Sequence, residues 1–340
     1  MRLEVRRAVV LIALLGSCLH LLAHGADSVS LRPSFGLDYT GEVQTDFHGA
    51  RVANLLQLHA DIPLSRKFSF QAASISTLAT SRLLDVLGLQ GYSNIETYGL
   101  DIPFALSVAG FTWQLNDRHS LFAGIRNTDE DYFCSDGLAL FTNSSCGIFP
   151  TLSYNYPICT YPFAAMGIHY AYDHERLRLQ ASLYNGMGDY HFSGRYNMFR
   201  VCPGSDGVFA IGQAEYRYRD SRYFLGACLH SEYEASPAAW AYAEQALLPG
   251  LTLIAAYSHA FGSDNLCENF YAVGGKYDLG RAELGLFTDY TRVAGVDEWA
   301  TEFLCDLRLT DFLSVEPVLH VITTDGETNC IGMLRVNISI

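Results

Sequence analysis

The connections between the candidate strands of this chain alternate in length, short then long, along its whole run. The short ones read Asn116-Asp117, Asp220-Ser221, Pro249-Gly250, Leu279-Gly280 and Thr310-Asp311. Longer stretches separate them, the three largest near 79–103, 127–160 and 187–206. A sheet whose strands run up and down in sequence order collects its tight turns at one end and its variable loops at the other. Such a sheet closes into an antiparallel barrel, and closure removes the exposed edges that an open sheet would carry.

The pattern within the strands supports the same reading. Over 176–183, Leu177, Leu179, Ala181 and Leu183 fall on one side, and Arg176, Arg178, Gln180 and Ser182 on the other. Over 312–321, Leu313, Val315, Leu319 and Val321 oppose Ser314, Glu316 and His320. The final segment sets Leu334, Val336, Ile338 and Ile340 against Arg335, Asn337 and Ser339. Around 213–219, Gln213, Glu215, Arg217 and Arg219 oppose Ala214, Tyr216 and Tyr218. Period-two alternation marks strands with one apolar and one polar face. A soluble sandwich would have to oppose all those apolar faces across two sheets, whereas a closed barrel needs only lipid outside and water inside. Sixteen such segments run from 31–46 to 330–340. Most are about ten residues long, the length a tilted strand needs to cross a bilayer. The even number returns both termini to one side, expected to be the periplasm.

Composition places such a barrel outside the cytoplasm. Met1-Arg-Leu-Glu-Val-Arg-Arg7 precedes an apolar run from Ala8 to Ala23, and Ala23-His24-Gly25 supplies small residues before Ala26. This is the layout of a secretory signal peptide, read as residues 1–25, with 26–340 as a single barrel domain. The run is shorter than the roughly 20 residues of a spanning helix. Removing it takes three arginines and one glutamate, so 19 basic and 35 acidic residues remain, a formal charge of −16. That charge argues against nucleic acid as a partner. The 21 tyrosines and 20 phenylalanines fit aromatic girdles at two membrane interfaces.

Eight cysteines follow the signal segment. An even number in an exported chain permits disulfides, and eight allow 105 pairings, so connectivity is not legible. Cys134, Cys146, Cys159 and Cys202 fall in the long loops, where they are expected to form clips; Cys228 and Cys305 fall within strands as packing residues. No C-x-x-C pair suggests a metal site.

The most specific text lies in the third long loop. It begins Arg126-Asn127-Thr128-Asp129-Glu130-Asp131-Tyr132-Phe133 and continues through Leu140-Phe141-Thr142-Asn143-Ser144 and Phe149-Pro150-Thr151-Leu152-Ser153. It closes on Thr160-Tyr161-Pro162-Phe163-Ala164-Ala165-Met166-Gly167, before a strand ending Ala181-Ser182-Leu183-Tyr184-Asn185-Gly186. This text resembles the OprB-type carbohydrate-selective porin family, most clearly over residues 126–186. The resemblance implies an outer-membrane barrel of sixteen strands that passes sugars by diffusion, with loop 127–160 folded into the lumen to set its width. Ile340 departs from the aromatic residue with which many barrels end.

A sixteen-strand barrel is too wide for wall side chains alone to fill, so selectivity falls to what narrows and lines it. Asp129, Glu130, Asp131 and Asp136 are expected to bring negative charge to the constriction. Arg126, Arg176, Arg178, Arg217 and Arg335 are expected to face it from the wall, with Glu215 and Asp289 among them. Tyr132 and Phe133 would stack on the apolar face of a sugar. Salt bridging that only braces the wall is the competing role for the arginines. The expected activity is a water-filled diffusion channel for small hydrophilic solutes, carbohydrates foremost. The alternatives are a non-selective porin and a plugged structural or adhesive barrel. An enzyme is not expected: no G-x-S-x-G or H-E-x-x-H occurs, and His169, His230, His259 and His320 sit in no catalytic motif. No cofactor is implied. The partners are outer-membrane lipid and small polar solutes, and no feature fixes whether the barrel forms a homo-oligomer.

Overall fold

The computed structural model describes residues 31–78, 84, 88–97, 100–192, 197–232 and 237–340. The signal peptide expected at 1–25 lies outside these residues. The barrel unit runs from Pro33 to Ile340. Its strands are β1 (Ser34–Thr45), β2 (Ala50–Ser65), β3 (Phe68–Thr77), β4 (Ile102–Asn116), β5 (His119–Arg126), β6 (Ala165–His174), β7 (Leu177–Asn185) and β8 (Val208–Tyr218). They continue as β9 (Ser221–His230), β10 (Ala238–Leu248), β11 (Leu251–Ala260), β12 (Cys267–Asp278), β13 (Ala282–Val293), β14 (Val296–Thr310), β15 (Leu313–Thr324) and β16 (Glu327–Ser339). Each pairs antiparallel with its sequence neighbours, and β1 pairs with β16 to close the barrel. No helix among the described residues is long and apolar enough to cross a membrane.

The seam runs from Asp38 opposite Ser339 to Thr45 opposite Gly332. Leu37 and Ile340 exchange backbone hydrogen bonds of 2.9 Å at its end. The last residue therefore contributes to closure through its backbone, whatever its side chain.

The three longest connections all lie at one end of the barrel, and short turns close the other end, as the alternation of loop lengths predicts. Two further connections at the long-loop end are only two residues long, Ala294-Gly295 and Asp325-Gly326. Ala294 (φ 50°), Gly295 (φ 89°), Asp325 (φ 49°) and Gly326 (φ 86°) are all left-handed. Two consecutive left-handed residues make the turn whose twist matches a right-twisted hairpin.

The alternating faces separate as expected. In β9, Leu225, Ala227 and Leu229 are exposed on the outer face, while Phe224, Gly226, Cys228 and His230 are buried on the inner one. Aromatic rings collect near both ends of the outer face. Phe68, Phe70, Phe111, Tyr216 and Tyr223 form contacts toward the tight turns. Tyr257, Tyr271, Tyr290 and Trp299 form a chain across four strands near the long loops. This is an apolar belt between two aromatic rims, the surface a bilayer demands. A charge placed on that belt tests it. Leu225→Arg, at the centre of β9 and 65% exposed, is expected to cost about 2–4 kcal/mol, measured by urea titration of folding into lipid vesicles.

The inner face is not lined by water along its whole height. Phe133, Leu138, Phe141, Phe149 and Leu152 of the third long loop, with Leu84 and Tyr92 of the second, form one buried cluster with Phe209, Trp240, Phe270, Phe287, Leu304 and Ile322 of the wall. The chain enters the lumen because β5 is only eight residues long. Its partner β4 has fifteen. Gly124 (φ 150°) permits the close approach of β5 to β4 just before the exit: a Cβ there would collide with the Ala109 carbonyl oxygen.

The expected disulfide clips are a correction. Cys134, Cys146, Cys159 and Cys202 are all unpaired, as are the other four described cysteines. Cys146 and Cys159 are small buried residues of the loop cluster, and burial pushes both thiols up. The Cys134 thiol donates to the Asp129 carbonyl over 2.8 Å. Cys202 is exposed, with its backbone N–H bonded to Asn185 Oδ1 at 2.8 Å. The loop is held by apolar packing and by wall carboxylates, so it does not depend on covalent clips.

Candidate functional site

The third long loop is tied off where it leaves the wall. The Thr128 N–H and hydroxyl both bond to the Cys159 carbonyl, at 2.8 and 2.9 Å, joining the two ends of the loop. Asn127 caps the first turn by accepting from Glu130 N at 3.2 Å. Asp129 accepts from the Thr160 hydroxyl at 2.7 Å and from Tyr161 N at 2.6 Å. Burial holds its pKa up against those bonds. Asp129 is thus a brace at the loop base and does not supply charge to an opening.

Arg126 grips Asp131 through two bonds, Nε at 2.5 Å and a terminal nitrogen at 2.7 Å. The same guanidinium lies 4.8 Å from the centre of the Phe122 ring. A forked arginine–carboxylate pair is strong and directional, so the two charges cancel locally. Tyr132 bonds to the Ser182 hydroxyl at 2.8 Å and the Ile211 carbonyl at 3.2 Å. The Phe133 ring packs between Phe149 and Trp240, at 4.6 and 4.9 Å. Both rings are buried, so their surfaces are spent on docking the loop and none is open to a sugar.

From there the loop crosses to the far wall and is met by a row of inward carboxylates. Glu244 accepts from Gly137 N at 2.8 Å. Glu302 accepts from Thr142 N at 2.8 Å and Asn143 N at 3.0 Å, using one oxygen for each. Asp289 accepts from the Asn143 side-chain amide at 3.1 Å and the Ser145 hydroxyl at 2.5 Å. Glu298 serves the second long loop in the same way, accepting from Leu89 N at 2.6 Å and Gln90 N at 2.8 Å. Asp289, expected to line an opening, is buried as a loop anchor.

The seam side holds the second loop by ion pairs. Glu42 takes Arg335 at 2.5 Å and also accepts from Gln44 and Ser93. Arg335 extends to Asn94 at 2.7 Å. Arg51 of β2 pairs with Glu96 of the loop. Arg335 is therefore an inward residue, as expected, but one committed to bracing.

A cavity of about 390 Å³ remains between the base of the third loop and β1 to β5. His59, Asp61, Gln71, Arg126 and Glu130 supply its polar lining. His59 contacts Asp38 at 2.8 Å, and Gln71 bridges Asp61 at 3.1 Å and Thr112 at 3.0 Å. Burial raises the pKa of Glu130, opposed by the nearby positive charge of Arg126. With Arg126 cancelled by Asp131, Asp38, Asp61 and Glu130 leave this opening acidic.

The remaining expected residues lie elsewhere. Arg178 and Glu215 are inward on neighbouring strands. Arg217 bonds Glu215 at 2.8 Å and Asp173 at 3.0 Å. Arg222, not anticipated, reaches Asp136 at 3.3 Å. Arg176 sits exposed at a tight turn, away from the loop. One cluster has the connectivity of a hydrolytic triad: Ser182 lies 2.8 Å from His169 Nδ1, and His169 Nε2 lies 3.4 Å from Asp131. Ser182 is 3% exposed and shared with Tyr132, and Asp131 is held by Arg126. That geometry braces the loop base and offers no nucleophile to a substrate.

Sequence reasoning missed Glu42, His59, Asp61, Glu244, Glu298 and Glu302. Their signal was present in the period-two pattern, which puts each on the polar face of its strand. What the pattern lacks is which inward residues a loop will cover.

No protein-family model matches the sequence, and no curated protein matches it. Solved structures do. OprB of Pseudomonas putida in its high-pH structure matches with a TM-score of 0.76 at 17% identity, covering 91% of this chain and 94% of that one. The low-pH structure of the same protein matches with a TM-score of 0.59 at 15% identity, covering 91% and 92%. A Rh. blastica porin variant matches at 0.63 and 12% identity, covering 91% of this chain and 100% of the other. At such identities the likeness establishes the architecture: this chain folds as a sixteen-strand barrel of the porin type.

Proposed function

We propose that the chain is an outer-membrane diffusion channel for small hydrophilic solutes, with neutral carbohydrates as the preferred class. The observation that carries this reading is the acidic cavity left between the loop base and β1 to β5, in a closed barrel with an apolar outer belt. The third loop packs against the wall across the lumen, and we read this gap as the way past it. Asp38, Asp61, Glu130, Gln71 and His59 offer hydrogen-bond partners to hydroxyls, and their net charge disfavours anions. The carbohydrate preference is supported by the loop text of residues 126–186 and by the architectural likeness to OprB. The lipid belt and aromatic rims support an outer-membrane location.

Liposome swelling tests the reading. Vesicles holding the protein should swell in isotonic monosaccharide and more slowly in larger oligosaccharides. Vesicles that never swell would show a plugged barrel, the principal rival given how much of the lumen the loops occupy. Glu130→Gln should lower cation preference in planar bilayers at neutral pH, by a shift in reversal potential. In the unmodified protein the same loss should begin at a higher pH than an ordinary glutamate would cause, because the Glu130 pKa is raised. An unshifted reversal potential in the variant would place Glu130 off the ion path.

A further inference from the structure

We propose that Ile95 and Tyr161 close the outer end of the acidic gap as a hydrophobic gate, which holds back hydrated ions more than neutral sugars. The inference deepens the channel reading and rests on it. Its basis is the order of inward side chains along β2 to β4. On β2, Asp61 and His59 line the gap, and Leu55 and Ala53 follow toward the long loops. On β3, Gln71 and Ala73 line it, and Ile75 follows. On β4, Val108 lines it, and Ala105 and Ile102 follow. The register keeps the two levels together. His59 pairs with Ala73 and Ala73 with Val108, while Leu55 pairs with Thr77 and Thr77 with Ile102.

Ile95 of the second long loop belongs to the same buried cluster as Leu55, Ile75 and Ile102, and no member of that cluster is more than 6% exposed. Tyr161 and Tyr190 pack half-buried against it. Two ties hold Ile95 in place. The Tyr161 hydroxyl donates to the Ile95 carbonyl at 2.9 Å, and the next residue, Glu96, pairs with Arg51. A space lined by apolar side chains offers water no partners, and an ion stripped of water there has none either. A neutral sugar loses less, because it carries no net charge and its ring has apolar faces. The closed gate leaves one group unsatisfied. Thr77 lies between Leu55 and Ile102, is 2% exposed, and its hydroxyl has no hydrogen-bond partner among the described residues. A buried hydroxyl without a partner carries its full desolvation cost. Moving Ile95 aside lets water reach it, so opening recovers that cost while packing and the two ties oppose it.

Single-channel recording in planar bilayers, with liposome swelling in monosaccharide beside it, tests the gate. The parent current should be interrupted by closures. Tyr161→Phe keeps the ring and loses the tie, and should raise the ratio of open to closed time about fivefold. Thr77→Val removes the unpartnered hydroxyl at nearly equal shape, and should lower that ratio by a similar factor. The two shifts are opposite in sense, so a general loosening of the fold cannot imitate both, and either variant suffices if the other fails to fold. Ile95→Ser wets the gate and should raise ion current severalfold while monosaccharide swelling rises much less. Equal gains in current and swelling would overturn the discrimination between ions and sugars. Open-to-closed ratios in the folded variants equal to the parent's would overturn the gate and leave the channel reading standing. A parent and folded variants that all pass no current would defeat the channel reading. The gate is then decided by Ile75→Cys, treated with a small thiol reagent and read at position 75 by mass spectrometry. Slow labelling that quickens when Tyr161→Phe is added supports the gate, and equal labelling with and without it overturns the gate.

Discussion

Replacing residues 134–154 by a short Gly-Ser linker is expected to raise single-channel conductance several-fold. The segment removed carries Leu138, Phe141, Phe149 and Leu152, the side chains that fill the lumen against β10 to β14. The ties at Thr128, Asp129 and Asp131 remain, so the chain still turns inward at β5. The wall behind the excised segment presents Trp240, Phe270 and Phe287, and a barrel of sixteen strands without a filling leaves a wide aqueous bore. Planar-bilayer recording of single insertions measures the change. Cation preference should weaken because the acidic gap no longer dominates the path. Conductance equal to that of the parent chain would mean that the loop does not narrow the route taken by ions.

The second large effect concerns the seam. Glu42 and Arg335 sit opposite each other on β1 and β16, with side chains 0% and 8% exposed. Breaking a buried pair by removing one partner leaves a charge with nothing to answer it, and typically costs about 3–5 kcal/mol. Arg335→Ala should lose that much, read by urea or thermal unfolding of the folded band on gels. Loss of Arg335 also frees Asn94, so the second loop should become more protease-sensitive. The double variant Glu42→Gln, Arg335→Gln should recover most of the loss, because no lone charge is then buried. A small effect of Arg335→Ala would imply that water reaches the pair and that the second loop does not seal the seam.

Much of this architecture was legible because a barrel wall is a local object. Leu177, Leu179 and Leu183 announce an outer face by period two alone, and Glu215, Arg217 and Arg335 announce an inner one. Turn chemistry marked most strand ends, and failed where Ala294 adopts a left-handed conformation that its side chain does not advertise. The loop's presence in the lumen came through resemblance, while its fastening did not. Glu298 and Glu302 are polar-face residues like any other until a chain segment over a hundred positions away arrives to donate its backbone. In the sequence Tyr132 and Phe133 look like a sugar platform, because aromatic loop residues serve both purposes. The apolar patch made by Phe149, Trp240 and Tyr242, remote in sequence, decides for packing. The cysteines show the same limit: an even number permits pairing, but only the folded loop reveals that each thiol is separately housed.

Conduction through the gap beside β1 to β5 is the property on which a channel role for this chain depends. Purified protein, verified as folded by its heat-modifiable migration, should insert into a planar bilayer at neutral pH in uniform current steps. Its reversal potential in a salt gradient should favour the cation, and added monosaccharide should reduce the open current. Folded protein that inserts without any current, or steps that favour the anion, would show that the acidic gap between Glu130 and His59 is not the path.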